Sequence, residues 1–197
     1  MAQERGELPA ALHRLKRRAV VVLGGGGGWD ASFLALRGFE VASFDLLQRA
    51  TRQASALAAK RSVAALVHAY ALDVLALPRS PTRPVLIVNT GVFANAKAGG
   101  KLAKYQELTR SISAKGTWFF LHVIAEEKLA PAQRENGKLD RLLPVATKKP
   151  VWDSFARYFE MVSTRLARYR IRRPKPAHNQ PKFEMLPSWR FLMKGKL

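Results

Sequence analysis

A run of five glycines at residues 24–28 constrains the fold of this chain more than any other feature. The apolar residues 20–23 precede the glycines, a short helical stretch follows them, and a second apolar run ends at Asp45. Glycine allows positive φ and lets a ligand approach the main chain closely. An acid at the end of the second strand is placed to accept hydrogen bonds from ribose hydroxyls. The segment therefore predicts the nucleoside- or phosphate-binding half of a doubly wound α/β domain.

Two other nucleotide-binding motifs are excluded at this turn. A P-loop requires Gly-Lys-Ser/Thr, which does not follow the glycines. The dinucleotide fingerprint G-x-G-x-x-G lacks its third glycine, because Trp29 or Asp30 stands there, depending on the starting position. A tight strand-to-helix turn without any ligand is the remaining alternative.

Apolar runs and helical stretches alternate through the first 125 residues. Strands are predicted at residues 19–23, 39–44, 63–68, 85–89 and 117–124, and helices at residues 29–37, 46–59 and 102–114. This alternation predicts a Rossmann-like, doubly wound α/β fold, in which helices cover both faces of a mostly parallel sheet.

The sequence changes character after residue 125. Residues 126–150 are polar, residues 152–159 fit a short amphipathic helix, and residues 160–173 fit a long strand or hairpin arm. Residues 174–197 are rich in proline and basic residues. We therefore predict a basic N-terminal arm (1–18), an α/β domain (19–173) and an extended basic C-terminal tail (174–197).

The charge of the chain indicates a polyanionic partner. The chain has 34 basic and 14 acidic residues, a formal net charge of +20, whereas solubility requires only about 2–8 charges on a small domain. RNA is the expected partner, and a merely solubilising charge is the alternative. The chain has no cysteine, which excludes disulfides and cysteine-ligated metal sites. No apolar run is long enough to predict a membrane span.

The C-terminal part concentrates this charge. Residues 163–197 contain one acid and ten basic residues, interleaved with aromatic residues, a composition common in RNA-binding segments. The alternative is a solvated tail. The predicted RNA-binding residues are Arg165, Arg168, Arg170, Arg172, Arg173, Lys175, Lys182, Arg190, Lys194 and Lys196.

These motifs together resemble the class I S-adenosylmethionine-dependent methyltransferase family over about residues 19–125, and more weakly to residue 173. VVVLGGGGG is similar to the first motif, FEVASFDL to the second, HAYALDVLAL to the segment after strand three, and VLIVNTGVF to the fourth motif. The resemblance implies S-adenosylmethionine as cofactor, with ribose bound by Asp45 and the adenine amino group by Asp73. The implied cofactor-binding residues are Gly24, Gly26, Gly28, Asp45, Asp73 and Asn89.

The chain departs from the family pattern at two places. The family usually has an acid two residues before the first glycine, where this chain has Val22. The fourth motif often carries the catalytic group, but residues 89–92 (NTGV) match neither the amine-methylating nor the ribose-methylating pattern. These departures leave open that no cofactor is bound, and no catalytic residue is predicted.

Several candidate residues also have plain structural interpretations. Asp45 fits the N-terminal cap of the following helix, a role compatible with ribose binding. Asp73 fits a turn, and His68 and His122 fit buried positions in apolar strands. The four histidines show no metal-ligand spacing.

Two functions follow from these observations. The first is a non-catalytic, methyltransferase-like platform that binds RNA within a ribonucleoprotein such as a ribosome, beside neighbouring proteins. The second is an active S-adenosylmethionine-dependent RNA methyltransferase. The arginine- and alanine-rich composition and the basic N-terminus favour a mitochondrial location, with a cytoplasmic one as the alternative.

Overall fold

The computed structural model describes residues 19–76, 84–89, 92–93, 96, 99–125, 128, 145–146, 148–172 and 183–196. The strands are β1 (Ala19–Leu23), β2 (Glu40–Asp45), β3 (Val67–Ala71), β4 (Leu86–Asn89), β5 (Trp118–Ala125), β6 (Val145–Ala146), β7 (Phe159–Arg172) and β8 (Phe183–Gly195). The α-helices are α1 (Trp29–Ala35), α2 (Gln48–Lys60), α3 (Leu102–Ile112) and α4 (Lys148–Phe155). The predicted arm at residues 1–18 lies outside the described residues.

The strands form one sheet in the order β3-β2-β1-β4-β5-β8-β7, and the two-residue strand β6 pairs with the end of β5. Strands β1 to β5 pair in parallel, whereas β8 is antiparallel to both of its neighbours. The prediction of a Rossmann-like, mostly parallel α/β fold is therefore confirmed. The glycine run follows β1, so the glycines lie at the carboxyl edge of the parallel strands.

The sheet separates two apolar layers. One face of β1 and β2 presents Val20, Val22 and Val41 to helices α1 and α2. The other face packs against α3 and α4 through a larger layer of aromatic and aliphatic side chains. Because side chains alternate between the faces of a strand, the continuous apolar run VVVL supplies both layers at once.

The C-terminal tail is the main difference from the predicted organisation. Residues 174–197 were expected outside the sheet, but Phe183–Gly195 forms β8 between β5 and β7. The expectation of an extended tail is therefore wrong for this segment. The strand was difficult to predict because it contains Pro187, and proline cannot donate a hydrogen bond to a neighbouring strand. It lies one residue before the stretch Ser188 to Lys194 that pairs with β5, so no donor is needed from it there.

Two elements differ most from their predicted bounds. Strand β3 begins at Val67 rather than at residue 63, because residues 64–66 form a 3₁₀ turn. Helix α4 spans Lys148–Phe155 rather than residues 152–159, and β7 begins at Phe159. Pro150 sits in the first turn of α4, where a missing backbone donor is tolerated. Among the described residues, no helix is long and apolar enough to cross a membrane.

Candidate functional site

The glycine turn is held to β2 by backbone and side-chain hydrogen bonds. The amides of Gly24 and Gly25 both donate to the carbonyl oxygen of Phe44, at 2.8 and 2.9 Å. The amide of Gly26 donates to Oδ2 of Asp45 at 2.9 Å. The turn and the end of β2 are therefore fixed to each other.

Three of the five glycines adopt backbone angles that other residues avoid. Gly24, Gly26 and Gly28 have φ of 75°, 51° and 82°. A Cβ on Gly28 would lie 2.6 Å from the Cα of Ala54 in α2, so a side chain there would separate the two helices. A Cβ on Gly26 would meet no atom within 4 Å. The turn is thus closely packed at its end and open at its centre, where a ligand can approach the main chain.

Asp45 has capacity for further hydrogen bonds. Its Oδ1 accepts from the amide of Leu47 at 2.9 Å, and its Oδ2 accepts from Gly26. A carboxylate offers about four acceptor positions, so two remain for hydroxyl donors such as those of ribose. The helix cap of α2 is Leu47, and Asp45 supports it from two residues upstream, which is close to the capping role considered from the sequence.

Asp73 lies beyond β3, next to the same edge of the sheet. Its Oδ1 accepts from the amide of Leu75 at 3.0 Å, which makes it a turn residue. The amide of Leu72 donates to the carbonyl oxygen of Asp45 at 2.8 Å and joins this turn to the end of β2. The structure therefore brings Asp73 to the neighbourhood of Asp45 and the glycine turn, where the adenosine part of the cofactor is expected.

The side chain of Asn89 packs in the protein core and does not face an open site. Its side chain is fully buried, its Nδ2 donates to the hydroxyl of Tyr105, and its Oδ1 accepts from the amide of Phe93 at 3.5 Å. Burial raises the pKa of the Tyr105 hydroxyl, which stays protonated. These contacts tie β4 to α3, and they account for both ends of an amide that was predicted to contact the cofactor.

The residues present fit one part of S-adenosylmethionine. The open glycine turn and the free acceptor positions of Asp45 suit the adenosine part. At the family's acidic position, the Val22 side chain is fully buried between β1 and the helices α1 and α2. A valine there supplies no acceptor for the methionine amine.

A groove of about 720 Å³ adjoins the glycine turn. Its walls are the turn and the α1 residues Trp29 and Phe33, and its floor is formed by β4, β5 and β8. The floor carries Val88, Phe120, His122 and Arg190. None of these residues was predicted as a cofactor contact. Sequence reasoning missed the groove because its floor requires β8, which was expected to lie outside the sheet.

The predicted RNA-binding residues have three different outcomes. Arg165 and Arg190 lie directly opposite each other on β7 and β8, and Lys194 follows on β8. The Nζ of Lys196 instead donates to the carbonyl oxygen of Ala156 at 2.8 Å. The side chains of the remaining six residues lie outside the described part of the chain. Three of these residues belong to β7: Arg168, Arg170 and Arg172. The other three follow β7 in the sequence: Arg173, Lys175 and Lys182.

His122 is a buried imidazole on the groove floor. Burial, and to a smaller extent the charge of Arg190, lowers its pKa from 6.5 to about 4. The unfolded chain therefore takes up a proton near pH 6.5 that the folded chain takes up only near pH 4. The stability associated with the neutral imidazole is complete above pH 6.5 and is lost as the pH falls toward 4.

We expect the free energy of unfolding to fall by roughly 3 kcal/mol between pH 7 and pH 4 through His122 alone. Urea unfolding of the wild type and of His122→Gln at pH 7, 5.5 and 4.5 measures this contribution. The wild type should lose more stability than the variant over that range. A difference between the two proteins that is the same at all three pH values would contradict a buried, neutral His122.

Comparisons with known proteins bear on the fold. No protein-family model and no curated protein matches the chain. A solved S-adenosylmethionine-dependent methyltransferase from Methanosarcina mazei is similar, with a TM-score of 0.72, 11% identity, and coverage of 94% of this chain and 96% of that chain. One from Anabaena variabilis has a TM-score of 0.69, 17% identity and coverage of 97% and 83%.

A third similar structure is the methyltransferase from Geobacter sulfurreducens in complex with S-adenosyl-L-homocysteine. Its TM-score is 0.60, its identity is 21%, and the match covers 85% of this chain and 67% of that chain. This chain has the class I S-adenosylmethionine-dependent methyltransferase fold. The antiparallel β8 belongs to that fold here, and it turns the predicted tail into part of the sheet.

Proposed function

We propose that this chain is an RNA-binding, methyltransferase-like protein that serves as a structural or assembly component of a ribonucleoprotein such as a ribosome. The observation that carries the proposal is the net charge of +20 on a 197-residue chain with this fold. Such a charge repels itself in the folded state, and a partner rich in phosphates offsets that cost.

Two described residues at the family's motif positions favour a platform over an enzyme. Asn89, at the position of the family's fourth motif, is held in the core by Tyr105 and Phe93. Val22 supplies no acceptor for the methionine part of the cofactor. Because a fold alone does not determine activity, we base the choice between platform and enzyme on these two residues and not on the architecture.

Particle association tests this proposal directly. The full-length protein, expressed with a small tag, should sediment with large ribonucleoprotein particles in a sucrose gradient. Treatment with ribonuclease should move it to the top of the gradient. Sedimentation as a free protein before any treatment would contradict the proposal. Imaging of the tagged protein tests the mitochondrial location in the same cells.

An active RNA methyltransferase is the second candidate, and the glycine turn is the observation that favours it. Gly26 is open to a ligand, Asp45 retains two acceptor positions, and the groove adjoins the same turn. S-adenosylmethionine would supply an electrophilic methyl group when bound. This chain would hold the adenosine part through the turn and Asp45. Methyl transfer from labelled cofactor to total RNA, lost in an Asp45→Ala variant that circular dichroism shows to be folded, would decide for the enzyme.

Calorimetry with S-adenosylmethionine tests the cofactor site. We expect micromolar affinity or weaker, because a missing charge-assisted hydrogen bond at the methionine amine costs about 1.5–3 kcal/mol. Asp45→Ala should weaken binding by a further factor of about 10–100, since it removes a charged acceptor for the ribose hydroxyls.

The matched control is Asp153→Ala, which removes an exposed carboxylate paired with Lys149 on α4. This variant should bind like the wild type. Tight binding that Asp45→Ala leaves unchanged would refute the assigned site. Circular dichroism confirms that each variant is folded.

A further inference from the structure

The described helices cover the two faces of the sheet unequally. Helices α1 and α2 pack over β1, β2 and β3, whereas α3 and α4 pack on the opposite side of the sheet. No helix among the described residues covers β5, β8 and β7 on the side of α1. The floor of the groove is the part of this face nearest to the glycine turn. The surface that carries Trp118, Phe120, Arg190, Lys194 and Arg165 is called the open face below.

The strand register places like charges side by side on the open face. Arg165 and Arg190 are directly opposite each other in the antiparallel pair β7–β8. On its other side, Arg190 lies opposite His122, whose pKa it helps to lower. Like charges directly opposite each other destabilise a sheet. An anion placed between the two guanidinium groups would remove that cost.

Aromatic rings lie beside these cations. Trp118 and Phe120 are two residues apart on β5, so their side chains lie on the same face of the sheet, the open face. Trp118 is 36% exposed, and the Nζ of Lys194 lies 5.4 Å from the centroid of its ring. Lys194 is also opposite Glu160 on β7, so one acid lies at the margin of this surface.

The α1 wall of the groove repeats the same combination of ring and cation. Trp29 and Phe33 are 65% and 49% exposed. The guanidinium carbon of Arg37 lies 3.5 Å from the centroid of Phe33, and that of Arg61 lies 4.5 Å from the centroid of Trp29. Flat rings flanked by arginine and lysine suit a ligand that has both π-faces and negative charge.

We propose that the open face binds single-stranded RNA, with Trp118 and Phe120 stacking on bases and Arg165, Arg190 and Lys194 contacting phosphates. The inference rests on the proposed function and names the surface through which it acts. A single strand is specified because bases within a duplex are not accessible to rings on a sheet. Arginine forks match phosphate oxygens in pairs, and the rings accept any base.

The N-terminal segment of the same chain is the competing occupant. Residues 1–18 contain five Lys or Arg residues and two Glu residues. This segment is therefore basic, like the open face, and its charge does not complement Arg165 and Arg190. A polyanion complements both, which is why the charge favours RNA.

Anisotropy titrations with a fluorescent 12-nucleotide oligouridine test the assignment on the full chain. Trp118→Leu should weaken binding about 10-fold with an unchanged salt dependence, because stacking contributes without counterion release. Arg165→Gln/Arg190→Gln should weaken binding and reduce the slope of log K against log salt by about 1.4, since each phosphate on a single strand contributes about 0.7.

The matched control is Arg49→Gln/Arg52→Gln, which removes two exposed arginines from the end and the outer side of α2. It should keep nearly the wild-type affinity and slope. Photocrosslinking of a 4-thiouridine-containing strand to the wild-type protein supplies a second measurement, with crosslinks expected on β5 and β8. It remains informative if a variant does not fold.

The outcomes separate the two claims. If the wild type binds no RNA, both the proposed function and this surface are wrong. If the wild type binds RNA but the control pair weakens binding as much as the Arg165 and Arg190 pair, only the surface is wrong. If Trp118→Leu lowers the unfolding free energy and leaves RNA affinity unchanged, the N-terminal segment is the better occupant and the surface assignment is overturned.

Discussion

Gly28→Ala is expected to reduce the free energy of unfolding by about 2–5 kcal/mol. The residue has φ of 82°, and left-handed backbone costs about 1–2 kcal/mol for a residue with a Cβ. The new Cβ would also lie 2.6 Å from the Cα and Cβ of Ala54, and overpacking of this kind costs about 1–3 kcal/mol. Backbone atoms of α2 cannot rotate away from it, so the helices must separate.

Gly38→Ala is the matched control for this effect. Gly38 has the same φ of 82°, but a Cβ there would meet no atom within 4 Å. Its expected cost is only the backbone strain, about 1–2 kcal/mol. Urea unfolding of both variants separates strain from overpacking. Equal losses for the two variants would show that the contact between the glycine turn and Ala54 does not limit substitution at Gly28.

Phe155→Ala should destabilise the protein by about 3–5 kcal/mol, because it removes a buried ring and leaves a cavity. Phe155 is fully buried on α4. Its ring centroid lies 5.2 Å from that of Phe119 and 5.5 Å from that of Phe93. Tyr105 and Phe159 complete the cluster at 6.1 Å each. The loss therefore affects β5, β7 and α3 together.

Phe33→Ala provides the control, because it deletes the same side chain from a position that is 49% exposed. We expect a cost of about 1 kcal/mol, since the half-exposed ring loses its contact with the Arg37 guanidinium but leaves no core cavity. Thermal and urea unfolding of both variants measure the difference. A Phe155→Ala variant as stable as Phe33→Ala would mean that α4 does not pack on the sheet as described.

Much of the parallel half of the fold was predictable from local patterns. Strands β1, β2, β4 and β5 are largely buried apolar runs. A strand that is covered on both faces needs apolar residues at nearly every position, so its sequence indicates it directly. The position of the glycines and Asp45 at one edge of the sheet follows from the same patterns, because each comes at the end of a parallel strand. The shift of β3 was not anticipated, since a 3₁₀ turn with the sequence AAL looks like the start of an apolar strand.

The site was predictable where it depends on backbone geometry and less so where it depends on packing. The glycines and Asp45 follow from the order of the elements along the chain. Asn89 was predicted as a cofactor contact, yet Tyr105 sixteen residues later engages its amide. No local pattern signals such a partnership, because it depends on the distance between α3 and β4.

By itself the sequence determined the parallel α/β half, the glycine turn with its acid, and the large positive charge. The charge follows from composition, and residues within a few positions of each other specify the individual strands, helices and turn. Only the tertiary structure decided that Phe183–Gly195 is a strand of the sheet, and that Arg190 therefore lies beside Arg165 and His122. Pairing across many intervening residues depends on which edges and faces remain free once the other elements have packed. The pairing of β8 with β5 and β7 therefore cannot be predicted from a short stretch of sequence.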